Sequence, residues 1–182
     1  SHDTMFSYVN YYQEDEDLKR IEHLPEYIGK HAEGNNYPSQ ILFAAAFRNL
    51  FRWVREGIGP NHCERIPVNY EGKNHKDAFG NTIGGLRTCL LNYPTGRFHI
   101  ASTIEPGQSF VDPKSDKDPL FGYEEPFSAT MLKELYSNLE NYERLCVEDT
   151  KEQISKGFVC REDGEKLVKM AVERARKRGL KA

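Results

Sequence analysis

The chain has 182 residues, enough for one ordinary domain with a real core. Apolar residues make up 38% and aromatics 12%, which excludes a chain that stays unfolded for want of burial. The formal charge of −3, with acids and bases interspersed, excludes the basic footprint of a nucleic-acid binder, and no apolar run reaches membrane-spanning length.

No secretory leader is visible, and the opening Ser1-His2-Asp3 fits a tag remnant or a cleaved precursor. The four cysteines, Cys63, Cys89, Cys146 and Cys160, form no C-x-x-C pair. They read as buried or incidental thiols in a reducing compartment, which points to the cytoplasm, although spacing alone leaves pairing open.

In chain order, residues 1–13 are rich in Tyr, Phe and Val, and an acidic run over 14–17 reads as a solvated turn. Residues 18–28 alternate as a strand, with Pro25 at its edge or exit. A loop over 29–36 carries His31. The clearest helix spans 39–56, with Pro38 in the first turn and Gly57 as a stop. Phe43, Phe47, Leu50, Phe51 and Val54 form one stripe on it at i, i+4, i+7, i+8 and i+11, and Arg48, Arg52 and Arg55 make the other face basic.

Residues 58–126 are rich in Gly, Pro and Asn. Short strands are expected at 66–70, 86–92 and 97–104, the last two pairing through Tyr93-Pro94-Thr95-Gly96. Residues 105–126 read as a long loop with several prolines, of a length that is usually functional or packed on a neighbour. Two helices close the chain. One over 129–147 carries Leu132, Leu135, Tyr136, Leu139, Tyr142 and Cys146 on one face. The other, over 162–178, carries Leu167, Val168, Ala171, Val172 and Ala175, and its acidic start and basic end suit the helix dipole.

The most shaped stretch is 77–88, Asp-Ala-Phe-Gly-Asn-Thr-Ile-Gly-Gly-Leu-Arg-Thr. Its three glycines and one asparagine tolerate backbone conformations that other residues resist. Among chemical groups, His31 sits in a glycine-flanked loop directly after the expected strand, where a sheet enzyme presents a general base; it also reads as a surface-loop residue. Asp3 lies upstream, as an orienting carboxylate would, or as an exposed terminal residue. His62, Cys63 and His75 are too sparse for a metal site, so no cofactor is expected. No G-x-S-x-G elbow, Walker loop or H-E-x-x-H occurs.

These segments together resemble, in order, the C-terminal part of a group of α/β-hydrolase domain proteins, serine-hydrolase-like esterases. In that group a late strand leads to a Gly-x-x-His loop that supplies the catalytic histidine. Tyr27-Ile28-Gly29-Lys30-His31 resembles it, with one residue fewer between Gly29 and His31. A helix ending Trp-Val-x-x-Gly and a following proline are matched by Trp53-Val54-Arg55-Glu56-Gly57 and Pro60. An Asp-x-x-Gly-Asn-x-x-Gly-Gly-x-Arg-x segment is matched by Asp77 through Thr88, with Cys89 where the group often has proline. A closing Gly-Phe-x-x-x-x-Asp pattern before a helix is matched by Gly157-Phe158 through Asp163.

The resemblance runs from about residue 1 to 178. It implies an α/β fold: the C-terminal part of an α/β-hydrolase-like sheet with a long helix, an irregular β-hairpin insertion and two C-terminal helices. Residues 1–182 would be a single, incomplete domain. The order Ser, acid, His in such triads implies a nucleophile upstream of residue 1, on a longer or cleaved protein. His31 would be the base and Asp3 the acid. The implied partners are the remainder of the hydrolase and a small ester substrate, with no nucleic acid and no membrane, and a homo-oligomer where the apolar surface is left uncovered. The alternative is a non-enzymatic binding or scaffold module derived from a hydrolase ending, with Tyr8, Tyr11 and Tyr12 at an interface.

Overall fold

The computed structural model describes Arg20 and residues 34–99 and 122–182. The described elements are α1 (Ser39–Glu56), α2 (Cys89–Asn92), β1 (Gly96–His99), β2 (Tyr123–Pro126), α3 (Ala129–Tyr136), α4 (Leu139–Ser155) and α5 (Arg161–Lys177). The chain divides into two compact units, one from Ser1–Ser39 and Phe98–Glu125, the other from Gln40–Arg97 and Pro126–Ala182. Among the described residues no helix is long and apolar enough to cross a membrane.

In the first unit, Gly34 bridges Tyr123 in antiparallel fashion and the Asn35 amide donates to the Gly122 carbonyl at 2.9 Å. The Asn35 side chain donates to the His99 carbonyl at 3.2 Å. Tyr37 meets Phe98 edge-on at 5.4 Å, and the His99 ring stacks on Tyr123 at 4.1 Å. β1 and β2 pair as a two-stranded antiparallel sheet.

The second unit is built on α4 and α5, which pack along each other. Tyr142, Cys146, Leu167, Ala171 and Ala175 are fully buried between and beneath them. At Gly164 they approach closely: a β-carbon there would lie 2.8 Å from Ile154 Cδ1 and 3.3 Å from Thr150 Cγ2. A larger residue at this position of α5 would push the tip of Ile154 aside. α4 ends in a Schellman motif: the Gly157 amide donates to the Ile154 carbonyl and the Phe158 amide to the Gln153 carbonyl. Acidic Glu162 and Asp163 in the first turn of α5, and Arg174, Arg176 and Lys177 in its last, suit the helix dipole as expected.

Several sequence expectations are corrected. The helix expected over 129–147 is two helices, α3 and α4. Ser137 adopts φ 65°, and Asn138 caps α4 by accepting from the Asn141 amide at 2.8 Å. Short polar residues that bond their own backbone break a helix that the apolar spacing alone would continue. The strand expected at 86–92 is instead helical over Cys89–Asn92. An apolar run of that length does not distinguish a buried strand from a buried helical turn.

The expected strand at 66–70 is reduced to a single bridge, Val68 to Asn74. There the Asn69 side chain accepts from the Glu71 and Lys73 amides, turning the chain back at once. β1 pairs with β2 rather than with 86–92, so the end of the expected 105–126 loop is a strand. Of the strand expected over 18–28 only Arg20 is described, and its backbone is helical.

α1 matches its expected bounds and stops at Gly57, but its stripe faces outward. Ile41 and Ala45 are its buried residues, whereas Phe43, Phe47 and Phe51 are about 60% exposed. Arg48 pairs with Glu162, and the Asn49 side chain donates to the Gly157 carbonyl at 2.8 Å.

Leu167 has no exposed surface. Leu167→Ala is expected to cost about 2–5 kcal/mol, the usual range for a buried leucine. Urea unfolding of the two forms measures this, and an unchanged midpoint would contradict the α4–α5 packing.

Candidate functional site

The turn at 77–88 is built from side-chain bonds to its own backbone. Asp77 Oδ1 accepts from the Phe79 and Asn81 amides, both at 2.9 Å, and the Asp77 amide donates to the Asn81 carbonyl at 2.8 Å. A carboxylate that bonds two residues ahead fixes a tight turn without a long ladder. Lys76 and Thr82 bridge across its base, and Asn81, fully buried, donates to the Gly96 carbonyl at 3.2 Å.

Gly84 has φ +76°, and a β-carbon there would lie 2.4 Å from the Arg65 carbonyl oxygen. Both conformation and space require glycine. Gly85, at φ +71°, has the same conformational demand.

Arg87 closes this turn. Its guanidinium pairs with Asp77 Oδ2 at 2.9 Å, donates to the Thr82 and Leu91 carbonyls, and donates through Nε to Asn92 Oδ1 at 3.0 Å. Only a planar fork with several donors meets four acceptors in this way. Asn92 passes the connection on: its Nδ2 donates to Asp149 Oδ1 at 2.6 Å, and Gln153 donates to the same oxygen at 3.4 Å. Asp149 Oδ2 has no hydrogen-bond partner among the described residues.

A polar cleft of about 270 Å³ lies over this chain of contacts. Asp149, Asn92, Gly84 and Gly85 contribute to its wall, with His62, Cys63 and Glu64 also lining it. Burial raises the Asp149 pKa, opposed by the hydrogen bonds from Asn92 and Gln153. The Cys89 thiol is pushed well up by its hydrogen bond with the Cys146 thiol and by burial, which makes it a poor nucleophile. All four cysteines are free, and only Cys63 is exposed. Among the described residues no group of three His, Cys, Asp or Glu is placed to hold a metal ion. Within this network Arg87 holds backbone through the Thr82 and Leu91 carbonyls.

His31 and Asp3, the expected base and acid, lie outside the described residues. The Asp77 and Arg87 of the glycine segment come together as one unit. Asn92, Asp149 and Gln153 escaped the sequence reading. Their signal was available in α4, where Tyr142, Cys146, Asp149, Thr150 and Gln153 recur at helical spacing on one buried side. Polar residues on a buried face need partners, and Asn92 is the partner here.

Two outcomes are expected. Gly84→Val should lose at least about 1 kcal/mol from backbone strain, before its collision with Arg65 is counted. Thermal melts decide this, and an unchanged transition would contradict the turn. The second concerns pH. A carboxyl whose folded pKa is raised contributes most below its unfolded pKa of about 3.9, and that contribution is lost as pH rises through the folded value. Asp149→Asn should therefore gain in melting temperature relative to the native chain between pH 4 and neutrality. A difference that does not vary with pH would contradict the buried carboxyl.

No curated protein and no solved structure matches the chain. The model of the alpha/beta hydrolase domain family matches residues 1–169, a span that includes both Gly29-Lys30-His31 and the Asp77–Arg87 turn. With most of its length matched in this way, the chain belongs to the α/β hydrolase domain family.

Proposed function

We propose that this chain is the histidine-bearing part of a serine-type hydrolase that acts on small carboxylic esters. The observation that carries the reading is the family match, which runs through the expected histidine loop and the glycine turn in one continuous span. In this reading His31 takes the proton from a serine hydroxyl as the serine attacks the ester carbonyl. It then returns the proton to the leaving alkoxide, and water repeats the cycle on the acyl-enzyme. Asp3 orients the imidazole and stabilises its charged form.

The serine and the oxyanion-binding amides come from a portion of the hydrolase other than these residues, because the sequence holds no G-x-S-x-G elbow. That portion is the chain's partner, covalent or not. The role left to the described frame is support. The Arg87 network holds the glycine turn, and α4 and α5 give it a rigid base.

The isolated chain is expected to show no turnover of p-nitrophenyl acetate. With the nucleophile-bearing portion present, His31→Ala is expected to lower turnover by at least about 100-fold while the melting temperature stays unchanged, since a general base is worth that much. Full activity in that variant would move the base elsewhere, and turnover by the isolated chain would contradict the division of the site.

A further inference from the structure

The cleft over the glycine turn has an acceptor in its wall that the fold leaves unmatched. Asp149 lines this cleft and is only 7% exposed. Both donors that reach its carboxylate, Asn92 Nδ2 at 2.6 Å and Gln153 Nε2 at 3.4 Å, go to Oδ1. Oδ2 accepts no hydrogen bond among the described residues. An unpaired oxygen on a buried carboxyl is costly to keep, and folds rarely leave one without a reason.

The charges around the cleft decide which kind of donor is missing. Arg87 is spent on Asp77, the Thr82 and Leu91 carbonyls and Asn92. Lys156 is paired with Glu152. Glu64 and Asp149 are left without an ion pair among the described residues. Two carboxylates with no uncommitted cation beside them make the cleft electronegative, and its complement is a cation.

A metal ion does not fit. Among the described residues no group of three His, Cys, Asp or Glu is placed to hold one, and a hard cation such as calcium takes about six to eight oxygens. An organic cation does fit. The cleft, at about 270 Å³, lies below the roughly 300–1,000 Å³ of pockets for drug-sized ligands, so its occupant is small. Phe158 in the wall offers an apolar surface for a short hydrocarbon stem.

We propose that this cleft binds a small molecule carrying a primary ammonium group, which donates to Asp149 Oδ2 and lies in the field of Glu64. An ammonium has three donors, enough for Oδ2, the Glu64 carboxylate and one water. Oδ2 is closed to solvent as the chain stands. Asn92, Glu152 and Lys156 are exposed side chains of the cleft wall that can shift to admit the ligand. Nothing in this site draws on the ester chemistry proposed above.

The test is calorimetric titration of the longest native product of the gene with 1,4-diaminobutane, and with 1,4-butanediol as its uncharged counterpart. Saturable binding of the diamine and none of the diol is expected. Asp149→Asn keeps the shape and removes the charge, and it should weaken the diamine by at least about 10-fold. Glu64→Gln, at an exposed position, should weaken it by about two- to fivefold. Glu173→Gln, on α5 and outside the cleft, should change nothing.

Absence of saturable diamine binding, equal binding of the diol, or undiminished affinity in Asp149→Asn would each overturn the proposal. If Asp149→Asn fails to fold, undiminished affinity in Glu64→Gln overturns it instead. Equal losses in Glu64→Gln and Glu173→Gln would show general attraction to acidic surface and would also overturn it. An N-acetylated Gly-Lys-Gly amide presents the same ammonium on a peptide. Tighter binding of that peptide than of the diamine would overturn the assignment to a small molecule.

Discussion

The guanidinium of Arg87 is the constraint on which the larger unit depends. It joins a carboxylate, two backbone carbonyls and the Asn92 amide oxygen, and so ties the glycine turn to α2. Through Asn92 and Asp149 the same chain of contacts reaches α4. Arg87 and Asp77 are half-buried and Asn92 is exposed, while Asp149 at the far end of the network is buried. Lysine could not replace the arginine, because a single ammonium lacks the planar fork that reaches four separated acceptors.

Around that constraint the segment 93–95 is held from several directions. Tyr136 donates its hydroxyl to the Pro94 carbonyl at 2.8 Å, and Tyr142 donates to the Tyr93 carbonyl at 3.2 Å. Arg178 reaches Thr95 at 2.8 Å, and the Phe127 amide donates to the Thr95 carbonyl at 2.9 Å. The two tyrosine hydroxyls keep their protons at any ordinary pH, since burial raises both pKa values strongly. An irregular stretch with few regular hydrogen bonds is thus fixed by side chains from α3, α4 and the end of α5.

The sequence made some of this legible and hid the rest for physical reasons. α1 and α5 were readable because long helices carry caps, stops and period, and their bounds follow those signals. The outward stripe of α1 shows the limit: period reveals which residues share a face, not whether anything covers it. The break at Ser137 and Asn138 was hidden because apolar spacing continues across it while local capping interrupts it. The pairing of β1 with β2 is long-range and leaves no local trace. At the candidate site, Asp77, Gly84 and Arg87 stood out as a motif. Asp149 did not, because its meaning depends on a partner 57 residues away.

In the proposed hydrolase the reacting serine belongs to a portion other than these residues, while the histidine belongs to this chain. The most direct measurement is to label the native protein with a fluorophosphonate probe and locate the modified serine by tandem mass spectrometry. The proposed division of the site predicts one modified serine, outside residues 1–182. A modified serine within them would contradict it.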